Sequence, residues 1–264
     1  MKRVGLLPMV LLLGVSTSSP VGRELQRANQ MLHEFWQEVH EASQQRDLTK
    51  FTPKEYNRRL TMIESAVNQG IVSAVNRRPS PSSGELEDEL RGTLSLYGPM
   101  PEVASVITYD VAGGKFYVVA YALGVSATGS RSWIGAIGSQ GNEKPYEVLA
   151  AVEDGLPNRT VAIQPLGSAG QGSLAFLAHG TYWGDPHSHL TVIAYAFDGH
   201  SLKTLLTRGD LTQGQVKVEG ERIELTFLTI AQGPGYPPVP VRTEIYRLTP
   251  SGIKLEKSWE EKPK

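Results

Sequence analysis

Lys115-Phe116-Tyr117-Val118-Val119-Ala120-Tyr121, then Trp133-Ile134-Gly135-Ala136-Ile137, then Tyr146-Glu147-Val148-Leu149-Ala150 is the stretch on which the fold turns. These are runs of β-branched and aromatic residues separated by glycine-containing loops, the signature of strands joined as antiparallel hairpins. The plan recurs at 174–179, 190–197 and 202–207, the last two joined by the Asp198-Gly199 turn. It recurs again at 223–229, 242–248 and 253–259, with Pro250-Ser251-Gly252 as the final turn. A short strand precedes each set, at 106–111, 160–165 and 216–219. The spacing predicts three antiparallel units of roughly 50 to 60 residues, close to the length of a four-stranded propeller blade. Three such units are too few to close a ring. The fold class expected is therefore mainly β, either a partial β-propeller-like array of repeated four-stranded units or a β-sandwich, within a β domain over 90–264. Residues 90–97 are read as a further strand.

Upstream the hydrophobic period changes from 2 to 3.6. Leu25, Ala28, Leu32, Phe35, Val39 and Ala42 share one face of a helix, and Trp36 widens that stripe. A second helix starts with Thr52 as cap, Pro53 at the first helical position and Glu55 placed to complete a capping box. Its stripe is Tyr56, Leu60, Ile63, Val67, Ile71 and Val75. An α-helical hairpin is thus expected over 20–78, followed by a Pro/Ser-rich linker over 79–89 that contains Pro79 and Pro81. Two helices cannot bury both stripes against each other alone. The hairpin is expected to pack on the β domain, and its stripe is also a candidate surface for self-association.

Residues 1–19 read as a secretory signal peptide. Lys2 and Arg3 precede an apolar run over 4–15, and Gly14, Ser16, Thr17, Ser18 and Ser19 supply small residues for cleavage. The run is too short to span a bilayer. The expected location is extracytoplasmic, periplasmic or secreted, with no membrane span once the leader is gone. The chain of 264 residues has 26 Lys+Arg against 27 Asp+Glu and a net charge of −1, which gives no electrostatic reason to expect a nucleic-acid partner. With no cysteine, disulfides, thiolate metal sites and cysteine nucleophiles are excluded.

Two candidate sites follow from residue types. The segment 179–189 contains His179, Asp185, His187 and His189. A hairpin centred near Gly184 would set His179 opposite His189, and imidazoles with a carboxylate can hold zinc and leave a position open for a hydrolytic water. This is the alternative reading, a metal-dependent hydrolase. The other site is aromatic: Trp133, Tyr182, Trp183 and Tyr236 stand at loop edges of the three units, and on one side of the domain they would suit a carbohydrate or protein partner. Catalytic signatures such as G-x-S-x-G and the P-loop are absent, and the glycine-rich 167–172 lacks the Lys that would make it a phosphate loop. The functional expectation is an exported, non-catalytic binding or assembly protein with no cofactor.

Overall fold

In a computed structural model of the chain, the described residues are 20–45, 49, 51–95, 103–111, 114–126, 129–139, 141, 144–153, 156, 160–170, 173–183, 187–229 and 239–261. The expected leader lies outside them. Three helices, α1 (Pro20–Gln44), α2 (Pro53–Val75) and α3 (Ser83–Leu94), precede eleven strands among the described residues. The strands are β1 (Ala104–Val111), β2 (Gly114–Ser126), β3 (Gly129–Gly138), β4 (Glu147–Glu153), β5 (Ala162–Ser168), β6 (Leu174–Trp183), β7 (Ser188–Phe197), β8 (Leu202–Glu219), β9 (Arg222–Leu228), β10 (Val241–Thr249) and β11 (Gly252–Glu261). They form two antiparallel sheets, one of four strands in the order β1-β2-β3-β4 and one of seven in the order β11-β10-β9-β8-β7-β6-β5.

Helix α2 starts where its sequence says: the Thr52 hydroxyl accepts from the Glu55 amide at 3.3 Å. The Glu55 carboxylate does not complete the expected capping box. It turns to Arg58 and Arg59, whose hydrogen bonds hold it down at about 2. The reciprocal box occurs instead at α3, where Ser82 and Glu85 satisfy each other's backbone groups. That helix corrects two expectations. Residues 83–89 are its first turns rather than linker, and 90–94 are its last rather than a strand, because Leu86, Leu90 and Leu94 drop into the core at helical spacing.

The helices lie on one face of the four-stranded sheet. Leu25, Leu32 and Phe35 of α1, Ile63, Val67 and Ile71 of α2, and Leu86 and Leu90 of α3 share a core with Tyr117, Val119, Tyr121, Trp133 and Ile137. Most of the stripe that offered a surface for self-association is thus consumed inside the molecule, with Trp36 and Val39 its part-buried members. Among the described residues no helix is long and apolar enough to cross a membrane.

The opposite face of this sheet, Val118, Ala120, Ala122 and Ile134, packs on Ile163, Phe176, Ala178, Ile193 and Tyr195 of β5–β7. Alternation then delivers Ala175, Leu177, Val192 and Ala194 to the far side of β6 and β7, where they meet Ile223, Leu225, Phe227, Tyr246 and Leu248 of β9 and β10. The seven-stranded sheet therefore folds back on itself.

Strand β8 makes the fold-back and corrects the expectation of three separate units: 202–207 and 216–219 are the ends of one strand. Its first half pairs with β7 and its second with β9, and Thr212 pairs with both His189 and Leu228. Between the halves Asp210 and Gln213 have φ of 58° and 48°. Gly214 sits so close to Leu190 and to the Leu211 carbonyl that a Cβ there would lie 2.7 and 2.8 Å from them. Bends of this kind let a strand pass from one sheet layer to the next.

Across the crease Arg208 of β8 grips Glu244 of β10 with two hydrogen bonds of 3.0 Å. Glu244 is 3% exposed, accepts from the Tyr246 hydroxyl at 2.6 Å and has Arg242 Nε 3.0 Å away. Removing the acid would leave two guanidinium groups facing each other. Glu244→Ala is expected to cost about 3 kcal/mol in chemical denaturation, the low end for a broken buried pair because both arginines keep part of their surface in solvent. Phe35, fully buried against Tyr56 with ring centroids 5.1 Å apart, is the anchor of the helical layer. Phe35→Ala is expected to cost about 3 to 5 kcal/mol by the same measurement.

Candidate functional site

The histidine segment folds differently from its expectation. Strands β6 and β7 pair with Tyr182 opposite His189 and Trp183 opposite Ser188, so His179 faces Val192 rather than His189. The turn is centred one to two residues beyond Gly184, which shifts every pairing. His179 is half-buried beside Gln164, 3.4 Å away, and burial holds its imidazole below the usual range. His187 Nδ1 is 3.0 Å from the Gln213 amide. The His189 ring stacks on Tyr182 with centroids 5.0 Å apart, and its Nδ1 is 2.7 Å from Asp210 Oδ1, which also accepts from the Tyr182 hydroxyl at 2.9 Å. Asp185 lies outside the described residues. Among the described residues no three His, Asp or Glu side chains converge to hold a metal ion. The expected pairing of His179 with His189 is corrected accordingly: the side chains around His189 form a polar clasp between the bent part of β8 and the β6–β7 hairpin.

One member of the aromatic set is not at a loop edge. Trp133 is 2% exposed, stacked on Tyr121 with centroids 5.3 Å apart beneath the helices. Its indole covers Gly135, where a Cβ would run into the ring. Period 2 puts Trp133, Gly135 and Ile137 on one face, and that face is core. Tyr182 is part-exposed in the clasp described above. Tyr236 and the Trp183 side chain lie outside the described residues.

A groove that sequence reasoning missed runs between α2 and β4. It has a volume of about 710 Å³ and is lined on the helix side by Ser65, Asn68, Gln69 and Ser73, and on the strand side by Val148 and Glu153. Helix α2 positions this wall because its apolar stripe faces the sheet, leaving an adjacent uncharged polar strip at the i, i+3, i+4 spacing. Glu64 also reaches the groove. It is 4% exposed and lies 3.5 Å from Arg131, which donates to the Thr61 hydroxyl at 2.7 Å and reaches Glu153 at 3.5 Å. One guanidinium thus serves two carboxylates, and the groove carries excess negative charge. Beneath it the Tyr121 hydroxyl donates to Asn68 Oδ1 at 2.8 Å. At the far end Asn76 grips the peptide of Tyr146 from both sides, Nδ2 donating to its carbonyl at 2.9 Å and Oδ1 accepting from its amide at 2.8 Å.

No family model matches this chain, and no curated protein does. Two solved structures of an α-L-arabinofuranosidase of Fusarium graminearum are similar to it, one in complex with an iminosugar inhibitor and one with arabinobiose. Identities are 11% and 12% and TM-scores 0.31 and 0.32. The likeness covers 60% of this chain and 50% of each of those, so the chain matches half their length. Likeness at this level carries no argument about activity.

Burial holds the Tyr121 phenol well above its ordinary range, with Glu64 and Glu153 adding to the effect. Burial together with the bond to Glu244 pushes Tyr246 up to about 12. A raised folded-state value means that the unfolded chain releases these protons first. Their contribution to stability is therefore complete below pH 10 and falls above it, that of Tyr246 being lost as pH rises through about 12. Denaturation midpoints measured from pH 8 to 12 are expected to hold steady and then fall above 10. Replacing Tyr246 by Phe should flatten part of that fall.

Proposed function

We propose that this chain is an extracytoplasmic, non-catalytic binding protein whose ligand occupies the groove between α2 and β4. In this reading the strands behind it are blade-like four-stranded meanders stacked face to face, with β8 serving the second and third. The carrying observation is the groove itself. Its volume falls within the range of ligand sites, and it presents hydroxyls, amides and carboxylates beside the exposed Val148. The arrangement suits a polar, uncharged or cationic ligand. It does not suit an anion, because the lining supplies two carboxylates and its neighbouring arginine already binds both. The basic, apolar and small residues over 1–19 support the location.

The test is array binding of the full chain to neutral oligosaccharides and to blocked peptides. Ser65 is exposed on the groove wall, so Ser65→Trp should fill the groove with a change in stability within about 0.5 kcal/mol. The expected result is binding to at least one class, reduced at least tenfold by the substitution, with an unchanged melting temperature. Binding to neither class, or binding indifferent to the substitution, overturns the proposal.

A further inference from the structure

The groove wall carries one side chain whose orientation is set from beneath. Tyr121 is wholly buried, so its phenol has to place its proton on an acceptor. Two lie in reach, Asn68 Oδ1 at 2.8 Å and the Glu64 carbonyl at 3.5 Å. That carbonyl already accepts the helical bond from the Asn68 backbone amide, four residues on in α2. The phenol therefore holds the oxygen of the Asn68 side-chain amide, and the NH2 group is left to the groove that this residue lines. Among the described residues no group accepts from it. Asn76, also in the lining, has both ends of its amide spent on Tyr146 and Val72.

Strand pairing places a second group across from it. Tyr121 pairs with Trp133 and Trp133 with Glu153, so the three share one row on the face that carries the helices. Glu153 stands two strand spacings, roughly 10 Å, from Tyr121 along that row. Its side chain is 59% exposed and gives Oε2 to Arg131 at 3.5 Å, which leaves Oε1 as an acceptor at the groove. The backbone on either side is not free to read a ligand. That of α2 is satisfied within the helix. In β4, Ala136 pairs with Ala150 and Ile137 with Val148, leaving Leu149 as a bulge, and Asn76 already holds both backbone groups of Tyr146. Recognition therefore falls to side chains, a fixed donor at Asn68 and an acceptor at Glu153, with Val72 and Val148 as small apolar patches between polar groups. A hydroxyl both accepts and donates, so a ligand rich in hydroxyls satisfies both ends without carrying charge. We infer that the groove binds a neutral oligosaccharide, with Asn68 as its specificity-determining donor and Tyr121 as the residue that positions Asn68. This rests on the groove reading above and names its ligand class.

The experiment screens the full chain on an array of neutral oligosaccharides and blocked peptides, then takes the tightest-binding oligosaccharide into calorimetry with its monodeoxy analogues. An oligosaccharide is expected to bind. Removing one of its hydroxyls should cost about tenfold or more in the unsubstituted chain and less than about twofold in Asn68→Ala, because both deletions remove the same hydrogen bond. Asn68→Asp keeps an acceptor for the Tyr121 phenol and loses the donor, so it should weaken binding about tenfold or more while the chain stays folded. Tyr121→Phe frees the amide to turn and should weaken binding about threefold, with no further effect once Asn68 is alanine. Hydroxyl deletions that cost the same in Asn68→Ala as in the unsubstituted chain, undiminished binding by Asn68→Asp, or equal effects of Tyr121→Phe with and without Asn68 would overturn the inference. A blocked peptide that binds and is lost with Ser65→Trp, with no oligosaccharide bound, refutes the sugar and leaves the groove reading standing. No binding of either class refutes both.

Discussion

Strand β2 has no side that can face water. Tyr117, Val119, Tyr121 and Leu123 point one way and Val118, Ala120 and Ala122 the other, and all seven are buried. A strand apolar on both faces has to sit in a middle layer. The rest of the molecule is arranged to make it one. The helical layer covers the first face and the β5–β7 part of the larger sheet covers the second. The same logic passes outward: β6 and β7 are buried on both faces too, and β9 and β10 supply the cover. Each layer exists because its neighbour cannot be left exposed, and the series ends at β11, whose residues are mostly solvated.

Much of this was legible in the sequence because burial imposes period. The stripes of α1 and α2 were readable as 3.6 repeats, and nearly every strand falls within a few residues of its expected place. Helix α3 was hidden by its setting. Pro79 and Pro81 mark a break, and three leucines four apart give too short a signal to oppose it. The Ser82–Glu85 spacing was the available clue, since it forms the capping box that Thr52 and Glu55 do not complete. The unity of β8 was hidden because Gly209 and Gly214 resemble turn residues, whereas here the strand bends at Asp210 and Gln213 and continues.

The sites were harder to read because residue type does not fix register. A hairpin turn displaced by one to two residues moves His179 from facing His189 to facing Val192, and His189 pairs with Tyr182 instead. Trp133 looked like a loop-edge aromatic, but alternation with Gly135 and Ile137 assigns it to the core. The α2–β4 groove has no motif at all. Its one trace in the sequence is the strip of Ser65, Asn68, Gln69 and Ser73, uncharged polar residues at helical spacing beside the apolar stripe.

The bend in β8 has a consequence for how the chain finds its register. Most sheets can tolerate an alignment error at one hairpin without disturbing a distant one. Here the strand that completes one layer is covalently the strand that begins the next, and Thr212 is held by both neighbours. A slip of one residue against β7 would carry the slip into β9 and turn Ile223, Leu225 and Phe227 away from their layer. It would also carry Arg208 out of reach of Glu244. The buried ion pair thus acts as a proofreading contact, formed only when both alignments are correct at once.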